Sequence, residues 1–179
     1  NGTYSAAALG SPGAITNDPD TSASFSSATH SKVTVPAFEP VVDFTIEGWT
    51  NLDEYLPATN KTLYGALGTV RLLVRDPPTS LATAYASVWL NGTEYVLQPF
   101  RNYLASDTNH NVWVHWVLTR HANMLRLYRN GAQVAVRSDL PPTAPANLNG
   151  TIGLQSNGNY PLTGRIDEVA LYSNALSAV

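Results

Sequence analysis

The chain of 179 residues is 44% hydrophobic and only 13% charged, with a formal net charge of −3. That composition excludes a disordered tail, and its ten Lys and Arg residues form no basic stripe, so no nucleic-acid partner is expected. Cysteine is absent, which removes disulfides and thiolate metal sites, and no stretch reaches the ~20 apolar residues of a membrane-spanning helix. The length suits one domain over residues 1–179, able to bury roughly 70% of its unfolded surface.

Taken in chain order, the signals are those of β-structure. Gly10-Ser-Pro-Gly13 lacks the lysine of a phosphate loop and reads as a turn. Residues 17–25 hold Asp18 and Asp20 around Pro19, a loop signature. Strands are predicted over 32–35, 41–51 and 63–74. Two hairpins follow, 85–90 with 94–100 and 125–129 with 132–136. Asn91-Gly92 and Asn130-Gly131 supply the positive φ of their two-residue turns. Further strands are expected over 112–120, 151–154 and 162–172, and Pro141-Pro-Thr-Ala-Pro145 is a rigid connection within the domain. In the last strand, alternation sets Val169 and Leu171 on one face and Ile166, Ala170 and Tyr172 on the other. A short helical turn is expected after it. About ten short strands without a long 3.6-residue period indicate an antiparallel sandwich.

The last predicted strand reads Gly-Arg-Ile-Asp-Glu-Val at 164–169, then Tyr172 and Ala-Leu-Ser at 175–177. This phrase resembles the final strand of laminin G-like jelly roll modules of the concanavalin A-like superfamily. Residues 44–52 resemble the family's early core strand, 113–120 and 125–134 its central hairpin, and 17–25 its opening segment. The resemblance implies an all-β, two-sheet antiparallel jelly roll β-sandwich, a fold shared by lectins, receptors, structural modules and glycosidases. It also implies a calcium site. In several relatives an Asp at the start of the last strand holds a structural Ca2+ with backbone carbonyls from near the first strands. Asp167 occupies the matching position, and Asp18 or Asp20 would add a ligand. The alternative is that Asp167 accepts backbone amides or pairs with Arg165. Because the chain starts at Asn1 and stops where relatives continue, it is expected to be excised from a longer polypeptide.

Catalytic patterns are sparse. Sandwich glycosidases need two carboxyls ~5–9.5 Å apart, a spacing that i, i+2 residues on one strand supply. Only Asp18 and Asp20 have that spacing, and Pro19 puts them in a loop. No serine lies in a Gly-x-Ser-x-Gly elbow, and His30, His110, His115 and His121 match no zinc spacing. His115 reads as a residue within a core strand.

Two loops hold the mixture of aromatic and planar polar groups that grips sugars. One offers Asn102, Tyr103 and Asp107, the other Asn157, Asn159 and Tyr160. Trp49, Trp89, Trp113 and Trp116 lie inside predicted strands and are read as core. The parity of Trp113 and Trp116 requires that at least one face inward. Sequons occur at Asn1, Asn60, Asn91 and Asn149; those at Asn91 and Asn149 overlap Asn-Gly turns, and all four carry no meaning in the prokaryotic or phage chain expected here. The expected function is a non-enzymatic recognition module binding cell-surface carbohydrate, as part of an extracellular or phage virion protein. The alternative is a structural or decoration domain that binds an assembly protein and no sugar, and a glycoside hydrolase relative is the third reading.

Overall fold

A computed structural model of the protein describes residues 2–36, 38–39, 41–53, 59–75, 84–97 and 110–177. The first strands are β1 (Thr3–Ser5), β2 (Ala8–Pro12), β3 (Thr21–Phe25), β4 (Lys32–Thr34), β5 (Phe44–Leu52), β6 (Lys61–Ala66) and β7 (Val70–Val74). They are followed by β8 (Ala84–Leu90), β9 (Thr93–Leu97), β10 (Val114–His121), β11 (Met124–Arg129), β12 (Ala132–Arg137), β13 (Thr151–Ile152) and β14 (Gly164–Tyr172). They form two seven-stranded antiparallel sheets. Sheet one runs β1-β4-β13-β6-β7-β8-β9 and sheet two runs β12-β11-β10-β5-β14-β3-β2. This is the expected jelly roll sandwich, with no helix among the described residues.

The centre of sheet two follows from strict alternation. Phe44, Ile46, Gly48, Thr50 and Leu52 of β5 face inward, while Glu47 and Trp49 face outward and are half-buried. On β10, Val114, Trp116, Leu118 and Arg120 face inward. Register sets Trp116 opposite Gly48. A Cβ at Gly48 would stand 3.0 Å from Val169 and 3.1 Å from Leu63 of sheet one, so the glycine lets the two layers meet there. Tyr64, also inside, donates its hydroxyl to the Leu148 carbonyl, and burial pushes its pKa up.

Both Asn-Gly hairpins form, with φ of 51° and 78° at Asn91 and Gly92 and of 48° and 80° at Asn130 and Gly131. Other expectations are corrected. Residues 63–74 make two strands, because Gly68 at φ 71° turns the chain between β6 and β7. Strands β1, β2 and β3 were not expected, since small Ser, Thr and Ala residues carry no hydrophobic period. Among the described residues, no helical turn follows β14. The Thr45 hydroxyl instead donates to the Asn174 carbonyl and accepts from the Leu176 amide, both at 2.9 Å, pinning this segment across β5.

The faces of β14 also differ from simple alternation. Asp167 pairs with Trp49 and Ala170 with Glu47, so β14 carries one extra residue at that point. Glu168 absorbs it at φ 48°, in the left-handed region. The bulge brings Ile166 onto the same inward face as Val169 and Leu171, and Ala170 and Tyr172 point outward.

Two stability outcomes follow. Trp116→Ala is expected to lower the unfolding free energy by about 3–5 kcal/mol in urea titrations followed by circular dichroism. Glu168→Gly is expected to raise it by roughly 1 kcal/mol, because glycine adopts the left-handed bulge without the Cβ clash.

Candidate functional site

Three strands of sheet two and the hairpin beyond them build a depression on its outer face. β5 presents Glu47, β10 presents His115, Val117 and Thr119, and β11 presents Tyr128, with Trp49 of β5 behind His115 and outside the lining itself. Antiparallel register sets His115 beside Trp49, and Val117 between Glu47 and Tyr128. The Trp49 and His115 rings stack with centroids 4.8 Å apart and planes inclined by 22°. His115 Nε2 lies 3.3 Å from Glu47 Oε2, while the Tyr172 hydroxyl donates to Glu47 Oε1 at 2.8 Å. Glu47 is therefore held from both sides. The Asn130 turn braces the histidine's own backbone, its side chain accepting the His115 amide at 2.8 Å. The cavity measures about 300 Å3, and Leu176 of the segment pinned over β5 forms one wall.

This arrangement offers a stacked ring pair, a fixed carboxylate and an apolar floor. These are the groups that hold a sugar's C–H face and its hydroxyls. Glu47 is the one carboxylate in the described lining.

The tryptophan reading needs correction. Only Trp116 is fully buried. Trp49 faces outward at the site, Arg165 lies over Trp113 at 5.3 Å, and Arg71 lies over Trp89 at 4.5 Å. His115, placed on a core strand as expected, turns its ring to the outer face. Parity would have found both: His115 lies one position from Trp116 on β10, and Trp49 three positions from Ile46 on β5.

Of the expected loop residues, Asn157 and Tyr160 lie away from this depression. Asn102, Tyr103 and Asp107 fall outside the described residues. Asn157 is exposed and its Oδ1 accepts the Asn159 amide at 3.1 Å, which is turn chemistry. The Tyr160 carbonyl accepts the Thr62 amide and hydroxyl, both at 2.9 Å, so this loop is clamped to β6 of sheet one. Asn157 and Tyr160 are thus on the other sheet from Glu47.

A second concavity, of about 410 Å3, opens between the sheets near the bulge. Ile166, Val169 and Leu171 of sheet two and Ile152 and Val35 of sheet one line its floor. Asp20, Asp167 and Glu168 line its rim. Asp167 is only 8% exposed and its Oδ2 accepts the Ala14 amide at 2.7 Å. Its neighbour Arg165 is engaged with Trp113. The Asp18 side chain accepts the Asp20 amide at 2.9 Å, and that of Asp20 accepts the Thr21 amide at 2.7 Å. Burial, then the charges of Asp167, Asp20 and Asp18, raise the Glu168 carboxyl above the ordinary carboxylate range.

These donors suit calcium in part. A Cβ placed on Gly13 would lie 2.8 Å from Asp167 Oδ2 and 3.2 Å from the Asp20 carbonyl oxygen, so two hard oxygens converge where glycine leaves room. Among the described residues, no three acidic or histidine side chains form a metal-binding group, so Asp18, Asp20 and Asp167 do not meet as a three-carboxylate cluster.

No curated protein matches the chain significantly in sequence. Solved structures resemble it in fold. The binding domain of Paraclostridial Mosquitocidal Protein 1 superposes with a TM-score of 0.73 at 16% identity, over 98% of this chain and 44% of that one. Domain 4 of AbnA, an extracellular GH43 arabinanase from Geobacillus stearothermophilus solved with arabinotriose, gives 0.70 at 14%, over 97% and 78%. The CBM40 of the Ruminococcus gnavus IT-sialidase, bound to α2,3 sialyllactose, gives 0.58 at 15%, over 82% and 92%. The chain thus spans less than half of the toxin domain it resembles. The Laminin_G_3 model, described as the concanavalin A-like lectin/glucanases superfamily, matches residues 25–179, and the chain belongs to that family.

Proposed function

We propose that this domain is a non-catalytic carbohydrate-recognition module of an extracellular, cell-surface or phage virion protein, and that its sugar sits on the outer face of sheet two. The observation that carries the reading is Glu47, held by His115 and Tyr172 beside the stacked Trp49 and His115 rings. One carboxylate in the depression supports binding over hydrolysis, which needs two. The sugar-bound arabinanase domain and CBM40 lend support through a shared fold.

The competing position is the pair of loops carrying Asn102, Tyr103 and Asp107 and Asn157 and Tyr160. A glycan array should identify a ligand class, and calorimetry on the variants should place the site. Glu47→Gln is expected to weaken binding roughly 10- to 100-fold, the usual worth of a charged hydrogen bond. Asn157→Ala should leave affinity unchanged. Loss in Asn157→Ala with Glu47→Gln unaffected would move the site to the loops. An array without any hit would favour the domain as a structural or decoration module for an assembly protein.

Calcium is the proposed cofactor, structural in role, held by the Asp167 carboxylate and the Asp20 carbonyl. The convergence of those two oxygens at Gly13 supports it. A raised carboxyl pKa favours the protonated fold. The penalty is therefore absent below the unfolded glutamate value near ~4.3 and complete above the folded one. Glu168→Gln should stabilise the domain at neutral pH and lose that advantage as pH falls toward 4. Calcium should raise the melting temperature of the native chain and shrink the gap. A calcium-induced shift that survives Asp167→Asn would sink this assignment.

A further inference from the structure

The inter-sheet concavity coincides with a gap in sheet two. β14 pairs with β3 only through Gly164, Arg165 and Ile166, whereas it pairs with β5 as far as Tyr172. Past the bulge at Glu168, β3 has ended at Thr21, and among the described residues nothing pairs with that edge of β14. Residues 168–172 thus lack a strand partner on that side among the described residues. The missing strand would lie over the concavity of about 410 Å3, whose floor holds Val169, Leu171 and Ile152. Two of its lining side chains, Tyr4 and Leu9, are 51% and 62% exposed and extend its apolar surface to the outside. Asp20, Asp167 and Glu168 stand at the rim.

We propose that this slot receives one extended segment of a partner protein, adding as a strand to β14 at Glu168–Tyr172. Two features define the segment. Its inward side chains are apolar, to cover Val169 and Leu171 with the period of two that a strand imposes. Its side chain at the rim is Lys or Arg, because the acidic residues Asp20, Asp167 and Glu168 all line that part of the concavity. Main-chain pairing supplies affinity, and the charged rim selects basic over acidic partners.

The test uses the whole domain, isotope-labelled, with two blocked seven-residue peptides in EDTA, so that calcium binding does not enter the result. One alternates Lys and Val, the other Glu and Val. The Lys-Val peptide is expected to shift the amide resonances of residues 168–172, to slow their hydrogen exchange, and to bind at least tenfold more tightly than the Glu-Val peptide. Leu9→Ser, an exposed position that leaves the core intact, should weaken binding several-fold, and Glu168→Lys should reverse the peptide preference. Equal binding of both peptides, shifts confined to other strand edges or to the Glu47 depression, or no response at millimolar peptide would each overturn the proposal.

Discussion

The alternation of β5 governs this molecule. A strand has two faces, and β5 lies at the centre of sheet two, paired with β10 on one side and β14 on the other. Its inward residues set the depth of the core, and Gly48 admits Leu63 from the opposing sheet. Its outward residues, Glu47 and Trp49, are the foundation of the candidate sugar site. Core and site are thus the two sides of one nine-residue segment. A one-residue slip of β5 would bury Glu47 without its partners and expose Phe44 and Ile46, so the register that protects the core also holds the site.

The bulge in β14 is the counterpart of that regularity. Without an extra residue at Glu168, Ile166 and Leu171 would face opposite sides, and one would leave the core. Shifting the parity keeps both inside. It also gathers Asp167 and Glu168 beside Asp20, and it occurs where β3 departs. Positive φ and like charge therefore concentrate at one end of the sandwich, beside the stretch of β14 that β3 does not pair among the described residues.

Much of the fold was legible. Two Asn-Gly turns placed two hairpins, because a two-residue turn of that chemistry has few alternatives. The apolar runs gave the inner strands. What failed did so for physical reasons. Strands β1 to β3 carry one large side chain each, Tyr4, Leu9 and Phe25, among small residues, too few to set a period. The break between β6 and β7 depends on one positive-φ glycine, which a hydrophobic pattern does not register. The site was less legible still. Asn157 and Tyr160 have the composition of a sugar-binding loop; the Asn157 side chain also holds its turn and the Tyr160 backbone carbonyl ties the loop to β6. Trp49 and His115 looked like core because they sit in core strands, and only their faces distinguish them.

By itself the sequence determined the sandwich class, both hairpin turns and an aspartate at the start of the last strand, because each depends on local chemistry or on a period of two. Tertiary structure alone decided which face each aromatic took and which carboxylate stood beside which ring. Those choices depend on register between strands distant in the chain. Glu47 meets His115 and Tyr172 only after three strands have paired, 68 and 125 positions apart along the chain. No local pattern encodes that meeting.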